Sequence, residues 1–405
     1  MRDKEHSAPV VVSAREANLK RRLRRHLKAI GLQHGANGEL APIGSGKDAV
    51  RSLHHAQRND RVRASRDFIT NSTNRLLRFF AEGGDIVPEK IAPQLERVGA
   101  GTWQGDLFRL AALTWSIPVS NGFGRRLRYL VWDQSNTKLI GLIAIGDPVF
   151  NLSARDTLIG WNAQERADRL VSMMDAYVLG AIPPYNMLLG GKLIASLIRS
   201  RDIFDDFVSV YGDAEGVISG KSKRARLLAV TTSSALGRSS VYNRLKLGTV
   251  TYFKSIGFTG GWGHFHIPDN LFMELRTFLE GAGHPAAKNR FGEGPNWRLR
   301  TTRQALEALG FRGDMLRHGI RREVFLCTLA ENALSLLRNG DGEPDLSSLL
   351  SVDEVSRWSL DRWILPRARR RPEYRAWRHQ DLEALLKERS RPVLQLEQGS
   401  EAAKA

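Results

Sequence analysis

Between residues 125 and 270, short apolar runs with strand character alternate with amphipathic stretches of helical period. Such alternation restricts a chain to α/β architecture, because each helix must bury its apolar stripe on a sheet that it connects. Leu127 to Trp132 and Leu139 to Ile145 flank the polar turn Asp133 to Lys138, which predicts an antiparallel hairpin. Helical spacing over Trp161 to Met174, a strand over Ala176 to Ile182 and helices over Leu188 to Arg199 and Asp202 to Tyr211 follow. The apolar run Leu227 to Val230 then leads through Thr231, Thr232, Ser233 and Ser234 to a turn with Gly237 and Arg238. A helix bearing Tyr242, Asn243 and Arg244, the segment Tyr252 to Phe258 and a strand Gly263 to Ile267 complete the pattern. Polar and cationic groups gathered where a strand gives way to a helix mark a place where a ligand meets a protein.

The flanks read differently. Residues 14 to 31 form an amphipathic basic helix: Leu19, Leu23, Leu27 and Ile30 share one face, and Lys20, Arg21, Arg22, Arg24, Arg25 and Lys28 fill the rest. Residues 47 to 82 read as a helical pair, and Asp106 to Leu113 as a further helix. Beyond Pro268, helical spacing covers Leu271 to Leu279, Thr301 to Leu309, Met315 to Leu337 and Val352 to Leu360. The expected organisation is a basic helical region over 1–85, an α/β core over 86–270, a basic helical region over 271–390 and a disordered tail over 391–405.

Charge narrows the partners. Lys and Arg number 61 against 43 Asp and Glu, a net charge of +18 over 405 residues. That excess favours a polyanion, nucleic acid first, because each neutralised phosphate releases counterions. Cys327 is the single cysteine, which excludes an intrachain disulfide and a thiolate metal cage. The start Met1 to His6 has no apolar core, and runs such as Leu142 to Ile145 fall far short of a membrane span, so a soluble cytoplasmic protein is expected.

Chemical motifs are few. Gly44-Ser45-Gly46-Lys47 imitates a phosphate loop, but Ala41 stands where a glycine is required and Asp48 where Ser or Thr would hold magnesium. His264 and His266 share one face of the expected strand, yet no third ligand is specified, and no metal is expected. Asp147, Asp156, Asp205 and Asp206 are the acidic candidates, but no lysine has Asp or Glu two residues before it, as a restriction-type nuclease would need. Asp205 and Asp206 read as a solvated helix face. Tyr242 and His264 are the catalytic candidates, as general acid and base. Trp297 among Arg298, Arg300 and Arg303, and Tyr374 and Trp377 among Arg371, Arg375 and Arg378, fit either base stacking with phosphate contact or core anchoring beside solvated cations. Arg238, Arg244, Arg369 and Arg370 complete the candidate nucleic-acid set, and Lys221, Lys223, Arg224 and Arg226 form one more basic cluster.

The turn Pro183 to Lys192, with Gly190 and Gly191 opening a helix after a strand, resembles the pyrophosphate-binding turn of GNAT acyltransferases. Tyr252 to Phe258, with Tyr242 to Arg244 before it, resembles the ending of that fold. The two glycines are adjacent, however, where the family spaces them. This resemblance implies a GNAT-like mixed sheet and, as one alternative, acyl or group transfer with a coenzyme A-type cofactor held at Gly190 and Gly191.

A second resemblance covers residues 90 to 380. Ile117 to Gly122, Leu139 to Asn151, Arg155 to Trp161, Asp175 to Ile198, Gly237 to Leu245 and Gly294 to Arg300 together resemble the DruA family of Druantia anti-phage systems. It implies a bacterial defence protein that acts beside other components, including a large helicase-like one. It supplies no accepted catalytic residues. Related domains joined to transposase-like modules raise a further alternative, a transposon-associated DNA-binding protein.

Overall fold

A computed structural model describes residues 13–34, 40–44, 46–120, 122–213, 225–260, 266–289, 297–311 and 320–389. The chain begins with α1 (Ala14–Ala29), β1 (Leu32–His34), β2 (Leu40–Pro42), α2 (Gly46–Ala64) and α3 (Arg66–Leu76). It continues with β3 (Pro93–Arg97), α4 (Trp103–Leu113), β4 (Arg126–Asp133), β5 (Lys138–Gly146), α5 (Ser153–Ile159), α6 (Ala163–Arg169) and β6 (Met173–Ala181). Then come α7 (Gly190–Leu197), α8 (Arg201–Tyr211), β7 (Ala229–Ser233), β8 (Lys246–Leu247), β9 (Val250–Thr251) and β10 (Lys254–Phe258). The last elements are α9 (Asp269–Gly281), α10 (Trp297–Ala308), β11 (Glu323–Thr328), α11 (Ala333–Asn339), α12 (Val352–Ser359), α13 (Leu365–Arg370) and α14 (His379–Leu385). No helix among the described residues is long and apolar enough to cross a membrane.

Two compact units result. The first comprises Met1–Gln57, Gly261–Ile320 and Pro392–Ala405, and the second Arg58–Gly260 and Arg321–Arg391. In the first unit, Ser13 caps α1 by accepting from the Glu16 amide, and Leu19, Leu23 and Leu27 are buried at helical spacing. They pack with Leu271, Phe272, Leu275 and Leu279 of α9 and Leu306 of α10. An ion pair between Arg22 and Glu274 ties α1 to α9.

The second unit is built on a seven-stranded sheet in the order β10-β11-β7-β6-β5-β4-β3. Every neighbouring pair is antiparallel except β6 and β7, which run parallel from Met173 opposite Ala229 to Asp175 opposite Thr231. One sheet face packs under α7, α8 and α12, with Leu193, Ile194, Phe207, Phe325 and Val355 buried in one cluster. The other face packs against α4 through Leu107, Phe108 and Leu142, and against α5 and α11 through Ile159 and Leu337. Cover on both faces explains why β5 is buried almost throughout, its sequence reading as a continuous apolar run. The α/β class expected from the alternation is the class observed, with helices flanking a mixed sheet.

Several local expectations need correction. The helical spacing over Met315 to Leu337 covers β11, an interior strand whose Val324 to Cys327 are all buried. A short continuous apolar run fits both periods, and flanking partners decide between them. The helix expected at Tyr242 to Arg244 is a turn, with Arg244 at φ 60°. Helix over Trp161 to Met174 survives only as α6, and Met173 already begins β6. Residues 263–265 of the expected strand at Gly263 to Ile267 lie outside the described residues, and His266 and Ile267 are irregular.

Candidate nucleic-acid interface

The first unit displays a cationic stripe on α1. With 100° per residue, Arg21, Arg24, Arg25 and Lys28 fall on the face opposite Leu19, Leu23 and Leu27, and all four are exposed. Among the described residues none of the four is paired with a carboxylate, whereas neighbouring Lys20 binds Glu16 at 2.6 Å. Arg24 also lies 5.5 Å from the Phe311 ring centre.

The other candidates of this unit are more committed. Trp297 is half-buried and meets Phe272 edge-to-face at 5.6 Å. Arg298 donates to Asp269 at 2.6 Å and to the Ile267 carbonyl at 2.8 Å, and covers the Phe272 ring at 4.2 Å. Arg300 is exposed on α10 and has a partner of its own. His264 lies outside the described residues. His266 places its carbonyl 2.6 Å from Nε2 of His26, and no metal-holding group of His, Cys, Asp and Glu occurs among the described residues.

In the second unit the remaining candidates lie at the start of α7, in the segment after β7, and from α13 onward. Gly190 opens α7 but is buried, and a Cβ there would fall 2.6 Å from the Tyr185 carbonyl oxygen and 3.1 Å from Ala181. Its missing side chain therefore serves close packing of the chain on itself. Gly191 faces Val241, whose Cγ2 would lie 3.8 Å from an added Cβ. The Lys192 ammonium donates to the Val241 carbonyl at 3.1 Å, and burial followed by the charge of Arg362 lowers its pKa.

Tyr242 packs against Phe253 at 4.9 Å and Phe325 at 5.3 Å, with its hydroxyl in hydrogen-bonding reach of Thr232. Burial, with a contribution from Asp175, pushes its pKa up to about 12. Asp175 accepts from Thr231 Oγ1 at 2.8 Å, and burial lifts its carboxyl to about 6. Asp175 carried no sequence signal beyond its place beside an apolar strand; the parallel register with Thr231 brings it here.

Arg244 and Lys246 are exposed around the β8–β9 hairpin, and Arg362 Nη1 donates to the Lys246 carbonyl at 2.9 Å. Trp358 of α12 is 46% exposed, and its ring lies against the hairpin turn, 3.7 Å from where a Cβ of Gly248 would stand. Trp358 carries no signal of its own in the sequence, where it sits on a stretch of helical apolar spacing. Arg238 and Arg369 are exposed, and Arg370 Nε donates to the Pro366 carbonyl at 3.1 Å. Tyr374 is buried and Trp377 half-buried. Three of the four acidic candidates are engaged, Asp147 with Arg125 at 2.7 Å, Asp156 with Arg155 at 2.7 Å, and Asp206 with Arg97 at 3.7 Å, while Asp205 is exposed.

The sequence profile of the family described as Druantia protein DruA matches residues 44–339. A Druantia protein DruA from Escherichia coli (strain UMEA 4076-1) is 61% identical over 380 residues, covering 94% of each chain. The chain belongs to the DruA family. As a DruA protein it is a component of a Druantia antiviral defence system. No solved structure matches it.

Proposed function

We propose that this DruA protein is a nucleic-acid-contacting subunit of its defence system, acting in the cytoplasm beside other Druantia proteins, a helicase-like one among them. The observation that carries this reading is the stripe of Arg21, Arg24, Arg25 and Lys28 on α1. The stripe contains four like-charge neighbours at spacings of three or four: 21/24, 21/25, 24/28 and 25/28. At about 0.2–0.5 kcal/mol each, they cost α1 on the order of 1–2 kcal/mol in isolation. A phosphate backbone along this face converts that repulsion into attraction and releases counterions. The stripe spans about 10 Å of helix, a length that meets several successive phosphates. The experiment is fluorescence anisotropy with labelled DNA and RNA across a salt series. Affinity should fall steeply as salt rises, and binding that is absent or independent of salt contradicts the proposal.

The sheet favours a second reading, group transfer on a GNAT-like core. Parallel pairing of β6 and β7 ends at Asp175 and Thr231, although β6 continues to Ala181. Tyr242 and Thr232 stand at that opening, and the glycine-opened α7 follows β6 after a turn over residues 182–189. In this reading Tyr242 is the proton donor, and the backbone N–H groups at Gly190 and Gly191, where α7 begins, meet the diphosphate of a coenzyme A-type cofactor. Calorimetry with coenzyme A thioesters tests it: saturable heat supports the reading, and no heat with no thermal shift removes it.

A further inference from the structure

We propose that Trp358 and the β8–β9 hairpin form a docking site for single-stranded nucleic acid, an unpaired base stacking on the indole while the phosphodiester strand crosses Arg244, Lys246 and Arg362. This goes beyond the α1 stripe and rests only on the reading that the protein meets nucleic acid.

Burial separates Trp358 from its neighbours. The helical stretch from α12 onward is anchored by Val352, Val355, Trp363 and Ile364, each at most 8% exposed, whereas Trp358 is 46% exposed. An indole left half in water where another tryptophan already anchors the helix presents a large apolar face to solvent. Gly248, at φ 57°, keeps the hairpin turn free of a side chain where the indole edge approaches. Leu245 and Leu247 are buried, while Arg244 and Lys246 are exposed. The Lys246 carbonyl holds the Arg362 guanidinium beside them. Among the described residues no carboxylate pairs with Arg244, Lys246 or Arg362, and Arg362 depresses Lys192 nearby, so like charge gathers here without a counter-ion. Glu354 of α12 is occupied by its own helix cap, accepting from Ser351.

Cations alone would suit any polyanion. The exposed indole selects among them, since every unpaired base offers a π-face and a duplex keeps its bases stacked within the helix. An acidic peptide offers carboxylates but no such face.

The test is anisotropy with labelled oligothymidylate and a duplex of equal length, alongside tryptophan fluorescence of the full-length protein. Trp358→Ala is expected to weaken single-strand binding about tenfold and to change duplex binding by less than about twofold. Base-induced quenching in the wild type should shrink by the share that Trp358 contributes. Lys246→Glu, an exposed change on the hairpin, should weaken single-strand binding and reduce its salt slope by about 0.7. Unchanged single-strand affinity in Trp358→Ala overturns the site, as does an equal loss on duplex, or competition by polyglutamate as effective as that by oligothymidylate. A charge-reversed α1 that binds normally while Trp358→Ala is weakened would reject the α1 reading and leave this site standing. The opposite pair of results would do the reverse.

Discussion

At the scale of single residues, two adjacent glycines and the Asp175 carboxylate give the sharpest expectations. Gly190→Ala must push a methyl against the Tyr185 carbonyl, whereas the same change at Gly191 meets only ordinary contact with Val241. Overpacking of this kind costs about 1–3 kcal/mol, so Gly190→Ala should lower the melting temperature by several degrees, while Gly191→Ala should leave it unchanged or slightly raised. Equal effects at the two positions would contradict the packing role of Gly190. Asp175 has a folded pKa near 6 against an ordinary value of 3.8. The native state therefore holds its proton more tightly than the unfolded chain. Stability should fall as pH rises from about 4 to 6, by an amount on the order of 1–3 kcal/mol, and stay reduced above that window. Asp175→Asn should flatten that segment of a denaturation-versus-pH curve; an unaltered curve would show that Asp175 is not the responsible group.

At the scale of elements, legibility followed how far a segment carries its own pattern. The β4–β5 hairpin could be read because two apolar runs flank a polar turn, and α7 and α8 because their apolar residues recur at helical spacing. β11 was hidden, since its run Val324 to Cys327 is apolar without alternation and gains strand character only from β7 and β10 on either side. The turn at Tyr242 was equally opaque: its aromatic is held by Phe253 and Phe325, which the chain brings together from distant positions. Because Phe325 is buried at this junction, Phe325→Ala should cost about 3–5 kcal/mol in chemical denaturation. A loss below about 1 kcal/mol would mean that the interior strand is far less tightly packed than its burial indicates.

At the scale of the whole molecule, a net charge of +18 predicts a polyanionic partner but not where it binds. Many cations prove to be internal fasteners. Arg199, nearly inaccessible, donates to the Thr328 and Ser348 carbonyls, and Arg155 binds Asp156 with the Val149 and Phe150 carbonyls. Such roles are invisible in composition, because an arginine that ties loops together and one that faces a phosphate are spelled alike. Among the described residues two local groups stand out: the stripe on α1 in one unit and the hairpin cluster in the other. The most direct measurement is the salt dependence of duplex DNA affinity for the wild type and for a variant carrying Arg21→Glu, Arg25→Glu and Lys28→Glu. With three phosphate contacts removed, the slope of log affinity against log salt should fall in magnitude by about 2 to 3. A variant that keeps both the wild-type slope and the wild-type affinity would contradict the assignment of α1 as the surface that meets nucleic acid.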